Sequence, residues 1–343
     1  MLELAKDVLA GEEAWVVGGA VRDEALGRPM VDLDIACRQP EKAARQYARR
    51  SEGAPFPLSE RHGAWRVALA DERTVDFTPL PDGIHEDLAT RDFTINAIAR
   101  PLAGGNAVDP FGGLGDLDRR VLRAVRPGIF QDDPLRLLRA VRLEDELGFR
   151  LDSETEGLVR ANAGLVTRPA GERALAELAR LSAAGFERLD EIGLLAPLGG
   201  SVERLRTLGE TTSDLRLVAV FGQRLGQLPV SNELRRYAGK LLRAEVPPDL
   251  SARAIHRFRR ATEPWATDAA RFAGGDKALK QAIEQARKDD PPAPLLRGDE
   301  LGLPPGPEIG RWLEKIAEER AAGTISTREE ALDLVREDLP PTG

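Results

Sequence analysis

The hydrophobic pattern of this chain changes character once, near Pro134. Upstream, short apolar runs with a period near two stand between turn glycines and helical stretches, as in a mixed α/β unit. Ala14–Val17 reads as a strand stopping at Gly18-Gly19, and Ala20–Leu26 as the helix that follows. Val31–Ala36 alternates like a half-buried strand, Glu41–Arg50 is helical, and Trp65–Ala70 with Thr74–Thr78 suggest a hairpin. Downstream of Pro134, Leu, Ala, Arg and Glu recur at helical spacing and no strand is expected. Turn residues at Gly199-Gly200, Pro247-Pro248 and Pro291-Pro292 punctuate that part. The expectation is an α+β protein: a mixed-sheet head over residues 1–125, then helices throughout, as a neck (126–198), a body (199–290) and a tail (291–343).

A chain of 343 residues exceeds what one core usually serves, so two or more units are expected. No apolar run reaches the roughly 18 residues of a membrane span, and the acidic N-terminal stretch MLELAKDVLAGEEAW does not read as a leader, which points to a cytoplasmic protein. The one cysteine, Cys37, excludes a disulfide framework, and three scattered histidines (His62, His85, His256) argue against a histidine-built metal site. The formal charge is −8, yet the basic residues are 42 Arg against seven Lys and they cluster. One cluster spans 119–142. The other spans 235–260 and offers Arg235, Arg236, Lys240, Arg243, Arg257, Arg259 and Arg260 as candidate RNA-backbone contacts.

Four blocks carry chemistry. In VVGGAVRDEALGRPMVDLDI, Gly18 and Gly19 between strand and helix let the backbone approach an anion. Asp32 and Asp34, at i and i+2 of a strand, project from the same face. Two such acids repel, an arrangement that a divalent cation with oxygen ligands, Mg²⁺ above all, would offset. In EDLATRDFTINAIA, Arg91 could meet phosphate and Asn96 a ribose hydroxyl, while Asp92 or Thr94 could equally cap a helix carrying Phe93, Ile95, Ala97 and Ile98. DPFGGLGDLDRRVL, alone, reads as a loop. In QDDPLRLLRAVRLEDELGF, Asp133, Arg136 and Arg139 step by three along one helix face. A carboxylate acceptor and guanidinium donors at fixed spacing could read a base edge.

In this order the blocks resemble the bacterial-type (class II) tRNA nucleotidyltransferase / poly(A) polymerase family of the polymerase-β superfamily. GGAVRD with DLD looks like its metal-binding motif, RDFTINA its ribose-binding motif, DPFGGLGDL its head–neck connection and DDPLRLLRAVR its nucleotide-templating motif. Glu172-Arg173 and Glu177-Leu178 fit the neck motif, and residues 297–326 resemble the tail of CCA-adding members. The resemblance implies a polymerase-β-like nucleotidyltransferase head and Mg²⁺ on Asp32 and Asp34, with Asp76 as a third catalytic carboxylate. It places Gly18, Gly19, Arg22, Arg91, Asp92 and Asn96 around the nucleotide, and Asp133 and Arg136 on its base, with Arg139 and Arg142 assisting. The implied reaction adds C and/or A from CTP or ATP to the tRNA 3′ end, with poly(A) synthesis as the alternative within the family. No membrane and no obligate protein partner is implied.

Three departures from the family pattern stand out. Thr90 occupies a position where many members carry a second Arg, and Asp132 replaces a Glu. The connection from Asp76 to Leu88 is short, which in this family goes with enzymes that add only the two cytidines. The chain also lacks the clustered His and Asp of a phosphohydrolase domain. Two rival classes remain. An Asp-x-Asp glycosyltransferase would not account for RDFTINA or the Asp133/Arg136 pair, and a non-catalytic tRNA-binding protein would not be expected to keep Asp32 and Asp34.

Overall fold

A computed structural model describes residues 1–59, 63–291 and 293–338; His62 and Pro292, named above, lie outside them. The chain divides into two compact units, Met1–Gly199 and Gly200–Gly343. The first is built on a six-stranded sheet of β1 (Ala14–Val17), β2 (Asp32–Cys37), β3 (Ala54–Ser59), β4 (Ala64–Ala68), β5 (Thr74–Pro79) and β6 (Ala99–Pro101). The strand order is β3-β4-β5-β2-β1-β6; β2 and β5 run parallel and every other pair is antiparallel. Helices α1 (Leu2–Val8), α2 (Gly19–Ala25), α3 (Pro40–Ser51) and α4 (Ile84–Ala89) pack around the sheet.

The two faces of the sheet differ because the sequence alternates. Leu33 and Ile35 of β2, Val67 of β4 and Val75 and Phe77 of β5 are fully buried on one face. Helix α3 covers them with Ala43, Ala44, Tyr47 and Ala48, one apolar stripe at helical spacing, and Tyr47 packs 5.8 Å from the Phe77 ring. The opposite face carries Asp32, Asp34 and Ala36. Its Ala36 end is sealed by Ile84 and Leu88 of α4 with Val17, Leu80, Ala97 and Ala99. The Asp32 end is left open to solvent.

Beyond the sheet, the first unit continues through α5 (Gly113–Arg119), α6 (Ile129–Asp132), α7 (Leu135–Leu147), α8 (Ser153–Ala161), α9 (Gly171–Ala179) and α10 (Ala183–Glu191). Helix α7 buries Leu135, Leu137, Leu138, Ala140, Val141 and Leu143 and ends at Gly148, whose φ of +66° is the left-handed stop glycine favours. The expectation of no strand after Pro134 fails at one point: Arg150–Leu151 pairs in parallel with Val121–Leu122. The sequence pattern does not announce strand β3 either, because Pro55 and Pro57 break its β signature, and an edge position tolerates them.

The second unit is helical among its described residues. Four of its helices begin at a side chain accepting from the backbone three residues on: Thr212 for Ser213–Phe221, Ser231 for Asn232–Leu242, Ser251 for Ala252–Thr262 and Asp276 for Lys277–Lys288. Its C-terminal part holds a cluster of Leu296, Leu301, Trp312, Ile316, Ile325, Ala331 and Val335.

Candidate active site

Asp32 and Asp34 lie on the open face of β2, as their spacing requires. Thr74 on β5 donates its hydroxyl to Asp32 at 2.7 Å. Parallel pairing puts Asp76 directly beside Asp34, so three carboxylates share two adjacent strands. Burial pushes the Asp34 carboxyl up to about 6; the Arg91 charge opposes the rise, and the Asp76 and Asp32 carboxylates add to it. Asp76 is neutralised by a residue that no motif marks. Arg66, its register partner on β4, donates to both carboxylate oxygens at 2.7 and 2.8 Å. The alternation of the hairpin is the one sequence signal that could have found it.

The glycine turn stands against these acids. Gly18 has φ +67°, and a Cβ built there would fall 2.6 Å from Arg91 Nη1 and 3.3 Å from Asp34 Oδ2. Only glycine fits that slot. Gly19 opens α2, whose Arg22 donates to both oxygens of Asp23 and, at 2.7 Å, to Asn96 Oδ1. Arg91 itself is steadied by Asp87 at 2.9 Å.

Residues 90–92 join this sheet to helix α7. The Thr90 carbonyl accepts from Arg136 at 2.6 Å, Arg91 packs on Gly18, and Asp92 pairs with Arg139 at 2.9 Å. Asp92 also accepts from the Phe93 amide (2.8 Å) and from Asn96 Nδ2 (3.0 Å). Burial alone would raise the Asp92 pKa, but Arg139, Asn96 and the Phe93 amide hold it below the usual carboxylate value. A continuous chain Arg22–Asn96–Asp92–Arg139 results. The helix expected across Phe93–Ile98 is instead a single 3-10 turn, Thr94–Asn96. Its backbone is drawn into tertiary bonds, including Thr94 N–H to the Arg123 carbonyl.

Two of the residues expected at the base edge stand differently from their spacing. Asp133 is not on the helix face with Arg136 and Arg139. It precedes α7 in extended conformation, accepts from the Leu135 amide at 3.1 Å and pairs with Arg173 at 2.8 Å. Pro134 imposes this by disfavouring a helical residue before it. Arg142 is buried and its guanidinium is taken up by Glu177 and Glu146 within the helical layer, where it fastens α7 to α9. The block that reads as a plain loop also has structure. Gly113 packs so closely on the 3-10 turn that a Cβ would meet the Thr94 carbonyl at 2.1 Å. Buried Asp116 accepts there from Thr94, Arg119 and Arg123.

Of the expected RNA contacts, Arg235, Arg236 and Arg243 are exposed and have no ion pair among the described residues. The others are engaged within their unit. Arg257 pairs with Glu318, Arg259 with Asp290 and Glu263, Arg260 with Glu314, and Lys240 donates to the Ala261 carbonyl.

Among the described residues no three His, Cys, Asp or Glu side chains converge as a metal cage. The donor set nonetheless suits Mg²⁺, which commonly takes one or two carboxylates and completes its shell with water and substrate phosphates. Two hard-oxygen acids on one face, one of them with its charged form disfavoured, are what such an ion would stabilise.

The model of the Poly A polymerase head domain matches residues 14–81 and 65–123. Fold and site thus define a nucleotidyltransferase. The A-adding tRNA nucleotidyltransferase of Deinococcus radiodurans is 32% identical, over 94% of this chain and 95% of its own. The CC-adding tRNA nucleotidyltransferase of Thermus thermophilus is also 32% identical, over 93% and 92%. Among solved structures, the Thermotoga maritima CCA-adding enzyme complexed with tRNA superposes with a TM-score of 0.73 at 24% identity, covering 99% of this chain and 94% of that one. A CCA-adding enzyme in complex with ATP gives 0.79 at 22% identity, covering 99% and 95%. The chain belongs to the tRNA nucleotidyltransferase / poly(A) polymerase family.

Proposed function

We propose that this enzyme adds C and/or A from CTP or ATP to the 3′ end of tRNA without a template, releasing pyrophosphate. The observation that supports this reading best is the segment Thr90–Arg91–Asp92, which touches the base-reading arginine, the glycine turn and the Arg139 guanidinium at once. A nucleotide bound there would have its triphosphate and its base held by one rigid piece of backbone. Pre-positioning of this kind is the main contribution a protein makes to phosphoryl transfer.

In that reading Asp32 and Asp34 hold Mg²⁺, and the Gly18-Gly19 turn with Arg22 and Arg91 receives the triphosphate. Bound Mg²⁺ would neutralise charge building on the phosphates and ease deprotonation of the attacking hydroxyl. The tRNA 3′-oxygen forms a bond to the α-phosphorus as the bond to the β-phosphate bridging oxygen breaks. Asp76 lies on the acceptor side of Asp34, and its ion pair with Arg66 must loosen before it can serve the hydroxyl. Asp133 and Arg136 present an acceptor and donors to the base edge.

A specific observation favours cytidine addition alone. Strand β5 ends at Pro79 and α4 begins at Ile84, so only four residues join them and no longer loop can reach the site. Incubation with Mg²⁺, tRNA lacking its 3′ end, and labelled CTP or ATP separately tests both statements. Incorporation of CTP alone, stopping after two residues, is the expected result. Incorporation of neither label would sink the reading, and ATP incorporation without CTP would reverse the specificity.

A further inference from the structure

Strand β3 exposes every residue from Ala54 to Leu58, although all five are apolar. An edge strand of that composition invites pairing with another chain unless something blocks it. Pro55 and Pro57 do so, because neither has an amide to donate. Phe56 is among the exposed large apolar residues, at 41%.

Its place in the sheet is specific. Phe56 pairs with Arg66, Arg66 with Asp76, and Asp76 with Asp34, so all four side chains stand in one lateral row on one face. At about 4.8 Å per strand, Phe56 lies about 10 Å from Asp76 and about 14 Å from Asp34. The opposite face at this level belongs to Trp65 and Phe77 under α3. The triphosphate residues Gly18, Arg22 and Arg91 all lie on the other side of Asp34. In-line displacement places the attacking oxygen opposite the leaving pyrophosphate. An acceptor strand therefore enters over β5, β4 and β3, along the row that ends at Phe56.

We propose that Phe56 is a stacking platform for a base of the single-stranded 3′ end of the RNA acceptor, a nucleotide or two behind the attacking hydroxyl. An exposed aromatic ring is a surface on which single-stranded nucleic acid stacks, and it tolerates any base. The proposal rests on the transfer reaction given above and adds where the acceptor lies.

Steady-state kinetics on tRNA lacking its 3′ end, with Phe56→Ala, Phe56→Leu and Phe56→Trp, test it. Phe56→Ala should raise the KM for RNA about tenfold while the KM for the nucleotide stays within about twofold. Phe56→Trp should restore the RNA KM and Phe56→Leu should not, since leucine keeps the apolar bulk without the π face. A 2-aminopurine placed at either of the last two acceptor positions should be quenched by the native protein and by Phe56→Trp, but not by Phe56→Ala. An unchanged RNA KM in Phe56→Ala, or full rescue by leucine, overturns the proposal while native transfer upholds the reaction. A native protein that transfers nothing overturns the reaction; quenching lost in Phe56→Ala would still uphold the stacking surface.

Discussion

Gly18 shows how much of the site depends on one missing atom. Its φ of +67° excludes ordinary side chains, and the space a Cβ would take is already occupied by Arg91 and bounded by Asp34. Gly18→Ala should destabilise the protein by about 1–3 kcal/mol through backbone strain. Displacing Arg91 should also lower kcat/KM for the nucleotide about 10²-fold, measurable against any RNA acceptor. Asp34 provides the complementary case. Its pKa of about 6 means that the folded protein holds this proton more tightly than the unfolded chain, where the value is 3.8. The resulting penalty is absent below the unfolded value, grows as pH rises, and is complete above about 6. In metal-free protein at pH 7, Asp34→Asn should therefore increase stability by about 2–3 kcal/mol while abolishing transfer. Urea melts at pH 7 and pH 3 in EDTA check it: the gain must all but vanish at the lower pH.

At the scale of elements, the Asp92–Arg139 pair matters most, because it is the ionic tie between the turn that follows α4 and helix α7. Asp92 is buried and its pKa is lowered, so its stabilising contribution is present above the unfolded carboxylate pKa and is lost as pH falls through the folded one. Asp92→Ala at pH 7 leaves the guanidinium without its partner and should cost about 3 kcal/mol, with the difference from native protein shrinking in acid. This pair also marks how far the sequence could be read. Asp92 and Arg139 are both candidate site residues by motif, but nothing in their spacing says that they bond to each other across 47 positions. Elements with a local cause were legible: α3 from its helical spacing, β2 from alternation, the second unit's helices from the recurrence of Leu, Ala, Arg and Glu at helical spacing. Elements governed by tertiary partners were not. The Phe93–Ile98 apolar spacing suits a helix, yet bonds to Arg123 and Ala124 hold it to one 3-10 turn. Asp133 sits off the helix because of Pro134, a local rule that outweighs the i, i+3 spacing. Arg142 looks like its neighbours Arg136 and Arg139 in sequence, and only packing shows that it faces Glu177.

At the scale of the whole molecule, a net charge of −8 and an RNA substrate are compatible because the charges are sorted. Acids gather at the β2–β5 carboxylates, while many arginines outside that site are neutralised by partners within their own unit. In the second unit Arg253 and Arg257 meet Glu319 and Glu318, and Arg259 meets Asp290 and Glu263. Of the expected RNA contacts, those without an ion pair among the described residues, and so open to a phosphate backbone, are Arg235, Arg236 and Arg243, on or just after the helix Asn232–Leu242. Two classes of variant should then separate cleanly. Replacing Arg235, Arg236 and Arg243 together with Ala should weaken tRNA binding uniformly across tRNA sequences. It should also reduce the slope of log Kd against log salt by about 2–3, at roughly 0.7–0.9 for each phosphate no longer neutralised. The melting temperature should hardly move, since exposed arginines without ion pairs contribute little to folding. Arg259→Ala should do the reverse. Its side chain is only 12% exposed and its guanidinium lies between two carboxylates, so its loss should cost about 1–3 kcal/mol of stability and leave the salt slope intact. A salt slope that falls in Arg259→Ala but not in the triple variant would place the RNA on the helix Ala252–Thr262 instead and reverse the assignment.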